Sequence, residues 1–325
     1  MSDFPGVRLH VVSGKGGTGK TTVAAALALA LAGGGRRVLL AEVEGRQGIA
    51  QLFDCPPLGY DERKVALAPD GGDVYAMSVE PEQALLEYLD MFYHLGRAGR
   101  ALRKMGAIDF ATTIAPGITD VLVTGKIKEA VARRDGGRPA YDAVVMDAPP
   151  TGRITRFLNV NTEVAGLARM GPIHTQAQSV MALLASPRTA VHLVTLLEEM
   201  PVQETVDAVT ELTKAGLPVG ALIVNMSREP MLPAEALVAA GAGRLDAAEL
   251  TRGLAAGGLA ATAETIEGLI AEAADHAERV ALEETERDVL AEVDRPTYEL
   301  PLLDGGVDLG GLYRLASALS SQGVR

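Results

Sequence analysis

Residues 13–22 read SGKGGTGKTT, in which Gly14, Gly19, Lys20 and Thr21 meet the spacing G-x-x-x-x-G-K-[ST]. Between a strand and a helix, that spacing makes a loop whose backbone N–H groups turn inward on a phosphate. Glycine is needed because the chain must wrap closely around the anion in conformations that a side chain obstructs. Gly14, Gly16, Gly17, Thr18, Gly19, Lys20, Thr21 and Thr22 are therefore the expected phosphate-binding residues. Lys20 would reach the β and γ phosphates, and the Thr21 hydroxyl would bind Mg²⁺. The competing reading is a plain glycine-rich turn, but the full string arises by chance on the order of once in 10⁴ to 10⁵ sequences.

Acidic residues supply the rest of the chemistry. The segment LLAEVEGRQG puts Glu42 and Glu44 at the C-terminal end of a second strand, facing the phosphate loop if the sheet is parallel. A carboxylate there orients attacking water or supports Mg²⁺, which makes Glu44 a candidate catalytic residue and Glu42 a further metal candidate. The alternative is that these charges simply end a strand. The segment VVMDAPPTGR closes an apolar run with Asp147. A buried strand ending in an acid beside a phosphate loop reads as the carboxylate that holds Mg²⁺ through its water.

A sheet is needed to bring these ends together. Strand-like runs at 7–13, 37–43, 74–79, 141–147, 190–196, 219–225 and 298–302 alternate with helical segments, which predicts an α/β fold. A helix over 21–32 follows the first strand and stops at Gly33, Gly34 and Gly35. Residues 82–134 are too long for an ordinary crossover and read as a helical insertion broken at Gly96, Gly106 and Pro116–Gly117. A second insertion over 154–186 is expected to pack on the first. The whole, 1–325, is read as one phosphate-loop ATPase domain with a mostly parallel, doubly wound sheet.

Composition excludes several function classes. The single cysteine, Cys55, rules out an intrachain disulfide framework and any zinc or iron–sulfur site built from one chain's thiolates. No run approaches the roughly 20 apolar residues of a membrane span, and no export signal is visible, so a cytoplasmic protein is expected. The net charge of −12 argues against nucleic acid as the default partner. That charge is uneven: residues 264–294 hold eleven acids against two arginines, whereas 97–138 hold nine Lys/Arg against four Asp/Glu. Transient contact with the inner face of a membrane therefore stays open.

Lys15 adds a second lysine to the loop, in the form G-K-G-G-x-G-K-T-T. This resembles the deviant Walker A loop of ATPases that include the ParA/MinD, nitrogenase iron protein and ArsA groups. The resemblance implies that Lys15 crosses a dimer interface to the partner's nucleotide, where a point charge acts like an arginine finger; the alternative is a solvated loop lysine. The string DAPPTGR, with Pro150, Thr151, Gly152 and Arg153, resembles the D-T-A-P-T-G-H switch of the ArsA and guided-entry ATPases, which target tail-anchored proteins. Further similar stretches are MSVEPEQAL, APGITDVL, VTLLEEMPVQET, PVGALIVN and ELPLL. Two departures stand out: Glu44 and Gly45 replace the family's Asp-Pro, and Arg153 replaces its histidine. By the same resemblance Asn225 would hydrogen-bond the adenine edge, with Pro301 and Leu302 flanking the base.

The resemblance implies an Mg²⁺- and ATP-dependent ATPase, working as a homodimer or beside a paralogous ATPase subunit. It would carry or remodel a hydrophobic or membrane-protein client, as a chaperone does. Arsenite is disfavoured because only Cys55 could bind it, and no C-x-x-C motif offers zinc. The stretch Leu85, Leu86, Tyr88, Leu89, Met91, Phe92, Tyr93 and Leu95 is apolar around much of a helix, and Met105, Met170 and Met181 add adaptable side chains. Client groove, subdomain core and dimer contact are all open readings of it. So is a solvated or partner-binding basic face at Arg97, Arg100 and Lys104. Glu44 and Arg153 also motivate a second reading, a nucleotide-gated interaction or scaffold protein with weak or no hydrolysis. A metabolic ATP-dependent ligase of the same loop class finds no accompanying substrate-binding residues.

Overall fold

The computed structural model describes residues 3–93, 118–167 and 172–324. Strand β1 (Leu9–Gly14) leads through the glycine-rich loop into α1 (Lys20–Ala32), then β2 (Arg37–Glu42), α2 (Gly48–Leu52), β3 (Arg63–Leu67) and β4 (Asp73–Ser78). Next come α3 (Pro81–Tyr93), α4 (Ile118–Ala132), a small hairpin of β5 (Arg134–Asp135) and β6 (Arg138–Pro139), then β7 (Ala143–Asp147), α5 (Thr151–Leu167) and α6 (Pro172–Leu184). The chain continues through β8 (Thr189–Thr195), α7 (Glu199–Lys214), β9 (Val219–Ser227), α8 (Ala234–Gly241), α9 (Ala247–Ala256), α10 (Ala263–Ala291), β10 (Thr297–Pro301) and α11 (Leu309–Ser321).

Eight strands form one sheet in the order β10-β9-β8-β1-β7-β2-β4-β3. Its pairings are parallel except for β3, which runs antiparallel to β4 at the edge. All seven strands expected from hydropathy are present, and the α/β, mostly parallel class holds. β7, β2, β4 and β3 lie on one side of β1 and β8, β9 and β10 on the other, so the chain crosses over at β1 and the C-terminal end of this strand lies at a topological switch point.

Side chains alternate across the sheet into two apolar layers. Val12, Val38, Leu40 and Val145 face α1 and α11, whereas Val11, Leu39, Val144 and Met146 face the layer built by α4 to α7. Helix α1 is buried all round from Val23 to Ala32, because it lies between the sheet and α11; its alanines let both approach closely. Helix α4 packs on α5 and α6, and α5 starts at Thr151, directly after the Pro150 turn. The expected breaks at Gly96, Gly106 and Pro116–Gly117 and the face of Arg97, Arg100 and Lys104 lie outside the described residues. So do the side chains of Tyr88, Leu89, Met91, Phe92, Tyr93, Leu95, Met105 and Met170.

Two histidines cross the centre of the sheet. His10 on β1 and His192 on β8 stack with a ring separation of 5.3 Å, and His10 Nδ1 lies 3.0 Å from His192 Nε2. The Ala221 N–H donates to His192 Nδ1, so the His192 proton resides on Nε2, which donates to His10 Nδ1. Both rings are thereby held neutral. Burial drives His192 down to about 4, and it also lowers His10 well below the usual imidazole range, helped by the neighbouring His192 and Arg36.

Because the folded-state value of His192 is depressed, its contribution is fully present above about pH 6.5. It is lost as the pH falls toward 4, by roughly 3 kcal/mol. Denaturant unfolding followed from pH 8 to 4 should show this loss as a difference between the protein and a variant without the imidazole. His192→Gln, which keeps an acceptor for Ala221 and a donor for His10, should flatten the slope over that range.

Candidate functional site

Two of the loop glycines are enforced by close approach. A Cβ on Gly14 would lie 2.2 Å from the Val194 carbonyl oxygen, and one on Gly19 would lie 2.4 Å from Asn225 Nδ2. Gly19 also has φ 82, a left-handed conformation that lets α1 start at Lys20. The loop is held from outside: Asn225 Nδ2 donates to the Thr18 carbonyl at 2.9 Å, and Thr18 Oγ1 donates to the Lys15 carbonyl at 2.9 Å. Ser13 Oγ donates to the Pro149 carbonyl at 2.6 Å, joining the loop's strand to the turn after β7. Lys20 is buried, so its ammonium is kept in place rather than sampling solvent.

Parallel register brings the acids together. Glu42 is the Cα partner of Asp147 on one side and of Ser78 on the other. Thr21 Oγ1 donates to Asp147 Oδ2 at 2.7 Å, and the Gly48 N–H donates to Glu42 Oε1 at 3.1 Å. The other oxygens, Asp147 Oδ1, Glu42 Oε2 and Ser78 Oγ, are buried with no hydrogen-bond partner. Burial pushes the Asp147 carboxyl up to about 6; the Thr21 hydrogen bond and Lys20 pull it down, and Glu42 and Glu44 push it further up. Burial raises Glu42 as well, against the backbone N–H groups of Gly48, Arg46 and Gln47.

Orphaned buried carboxylate oxygens beside a threonine hydroxyl suit a hard divalent cation that keeps waters and phosphate oxygens as its other ligands. Among the described residues no group of three or more His, Cys, Asp or Glu could hold a metal without such help. Asp147, Thr21 and, behind them, Glu42 are the residues that could hold Mg²⁺.

Glu44 stands just past the C-terminal end of β2. β2 ends at Glu42, and Glu44 sits in the loop beyond, where Gly45 takes φ 66. Its carboxylate lies 3.5 Å from Arg46 Nη2 and 3.7 Å from Arg153 Nη1. It is flanked by these two guanidinium groups and is still close enough to Asp147 to push that carboxyl up. Lys15 is likewise engaged within its own chain, pairing with Glu204 Oε1 of α7 at 2.7 Å. Thr151 Oγ1 donates to Glu204 Oε2 at 3.4 Å, so one carboxylate joins Lys15 to the start of the Thr151–Gly152–Arg153 turn. Ser13, Arg46, Ser78 and Glu204 all fall within the stretches SGKGGTGKTT, LLAEVEGRQG, MSVEPEQAL and VTLLEEMPVQET, but nothing in the sequence pattern marked them individually as site residues.

On the other side of the loop, β9 carries Asn225 and β10 ends at Pro301, tied to β9 by the Leu302 N–H donating to the Ser227 carbonyl at 2.8 Å. Pro301 and Leu302 line a cavity of about 560 Å³, and Asn225 lines a neighbouring one of about 290 Å³.

Since the folded-state Asp147 value is raised above 3.8, this carboxyl favours the folded state at low pH and loses that contribution as the pH rises through about 6. At neutral pH it costs about 3 kcal/mol. Asp147→Asn should therefore raise the melting temperature of the nucleotide-free protein at pH 7.5 by several degrees, while abolishing any stabilisation by Mg²⁺ with nucleotide. Differential scanning calorimetry checks both.

Comparison with known proteins places this arrangement. The family described as anion-transporting ATPase (ArsA ATPase) matches residues 7–186, which include the loop, Glu42, Glu44, Asp147 and Arg153. ATPase BagA of Mycobacterium tuberculosis is 54% identical over 325 residues, 100% of this chain and 96% of that protein. ATPase get3 of Schizosaccharomyces pombe is 30% identical over 183 residues, 54% of this chain and 52% of that one. The arsenical pump-driving ATPase of Acidiphilium multivorum is 26% identical over 237 residues, 66% of this chain and 38% of that protein. With the family pattern covering over half of its length and a relative aligned along all of it, the chain belongs to the anion-transporting ATPase family.

Proposed function

We propose that the protein binds Mg²⁺-ATP in the loop 14–22 and hydrolyses the terminal phosphoanhydride, using closure of a dimer to handle a hydrophobic or membrane-protein client. The observation that carries the nucleotide part is the Thr21–Asp147 hydrogen bond with a second Asp147 oxygen buried and unpartnered beside it. Bound there, Mg²⁺ would offset charge on the β and γ oxygens.

The chain's own groups divide the work. Inward N–H groups of the loop and Lys20 hold the phosphates, and Glu44 orients the attacking water once released from Arg46 and Arg153. Lys15 reaches the nucleotide of the facing subunit, an identical chain or a paralogue, and must first leave Glu204 to do so. Asn225, Pro301 and Leu302 flank the base. Support for a client comes from the family membership and the apolar stretch at 85–95 in the sequence. No helix among the described residues is long and apolar enough to cross a membrane.

A second reading, a nucleotide-gated interaction protein with weak hydrolysis, is favoured by the double guanidinium hold on Glu44. A carboxylate paired with two cations is a poorer water acceptor than a free one, and glutamate in place of aspartate shifts it by one methylene.

Lys20→Ala should abolish ATP binding in calorimetry, whereas Lys15→Ala and Glu44→Gln should bind normally and turn over at least tenfold more slowly. Full turnover by Glu44→Gln would remove its assigned role. Affinity capture with Glu44→Gln in the presence of ATP should retain both a second subunit and a client; retention of neither would leave only nucleotide binding standing. Glu204→Gln, by freeing Lys15, should increase the ATP-dependent dimer seen in sedimentation. An unchanged monomer–dimer balance would argue that the Lys15–Glu204 pair plays no part in assembly.

A further inference from the structure

The segment between Asn225 and Pro301 contains three helices, and one of them reaches back to the proposed base site. The cavities lined by Asn225 and by Pro301 share three residues, Ser227, Arg228 and Arg279, so they form one trough with Arg279 of α10 as part of the wall between its halves. The trough begins beside the loop, since Asn225 is bonded to Thr18. A ligand whose phosphates fill the loop could lay its nucleoside there.

Arg279 is short of acceptors. Its Nη2 lies 2.6 Å from His276 Nδ1, while the Met231 N–H donates to His276 Nε2 at 3.0 Å. A neutral imidazole has one acceptor nitrogen and an imidazolium has none, so His276 satisfies only one of these two donors. Arg279 Nε is buried without a hydrogen-bond partner, and the nearest carboxylate oxygen of Glu283 stands 3.8 Å away. Nη2 and Nε are thus directed at or buried near α10 itself, yet the side chain remains 39% exposed. What it offers the trough is a planar, weakly hydrated cation, the group that stacks on aromatic ring faces.

We propose that Arg279 is a base-contacting residue of the nucleotide site, covering a purine face in the trough between Asn225 and Pro301. The inference rests on the proposed nucleotide reading and deepens it by adding α10 to the site. A face contact is tolerant of the base edge, so Arg279 contributes affinity for ATP and ADP alike and leaves discrimination at the edge to Asn225.

The test compares ATP, ADP and tripolyphosphate, which has the phosphates and no base, by calorimetry on the full chain with Mg²⁺. Arg279→Ala should weaken ATP and ADP by about tenfold and leave tripolyphosphate unchanged. Arg279→Lys, which keeps the charge without the plane, should recover little of the loss. Unaltered ATP affinity in Arg279→Ala would overturn the proposal, as would an equal loss for tripolyphosphate, which would put the effect on the loop or the fold. Recovery by lysine would reduce Arg279 to a point charge and would overturn the face contact. Should the unaltered protein bind tripolyphosphate as tightly as ATP, the base-site reading itself fails. That result is separate from any behaviour of the Arg279 variants.

Discussion

Two carboxylates, Glu42 and Asp147, are forced side by side at the ends of neighbouring strands, and the site is organised around that repulsion. Parallel register fixes them as Cα partners, so neither can move away without unpairing β2 from β7. Burial adds a desolvation cost, and the surroundings supply only part of the compensation: one hydroxyl, the backbone N–H groups of Gly48, Arg46 and Gln47, and the buried Lys20. Two acidic oxygens are left without partners. A divalent cation held against them would relieve the like-charge contact, and by linkage the loaded site would then be more stable than the empty one.

The loop before α1 is wired to both flanks through single side chains. Asn225 holds the Thr18 carbonyl from β9, Ser13 reaches the Pro149 carbonyl after β7, and Glu204 on α7 meets Lys15 and Thr151 together. These contacts tie the loop to β9 through Asn225 and to the turn of Thr151 through Glu204. In a single chain Lys15 is neutralised by Glu204, so use of Lys15 across an interface requires exchanging that carboxylate for another anion.

Much of this was legible in residues 13–22, 37–42 and 143–147, where apolar runs end abruptly in glycine or acid. A buried parallel strand must be apolar on both faces, and its last residue meets whatever lies above the sheet, so hydropathy finds both the strand and the site. β3 escaped because RKVAL is an edge strand, exposed or half-buried throughout and opened by two cations, as edges are when they discourage pairing with other chains. The hairpin at Arg134–Pro139 is too short to produce a pattern. Arg279 and Glu204 were invisible for another reason: each sits on a helix among many charges, and helical periodicity separates the inner from the outer face without saying which charge meets a loop far away in the chain.

By itself, then, the sequence determined the phosphate loop, the acid that ends β7 and the alternation that makes a parallel sheet, because these depend on local spacing and on backbone conformations that few residues allow. The partners of those residues were decided only by tertiary structure. That Glu42 abuts Asp147, that Glu44 lies between Arg46 and Arg153, that Lys15 rests on Glu204 and that Asn225 grips Thr18 all follow from strand order and helix docking. Electrostatic pairing falls off over a few ångströms in space, and separation along the chain carries no record of that distance.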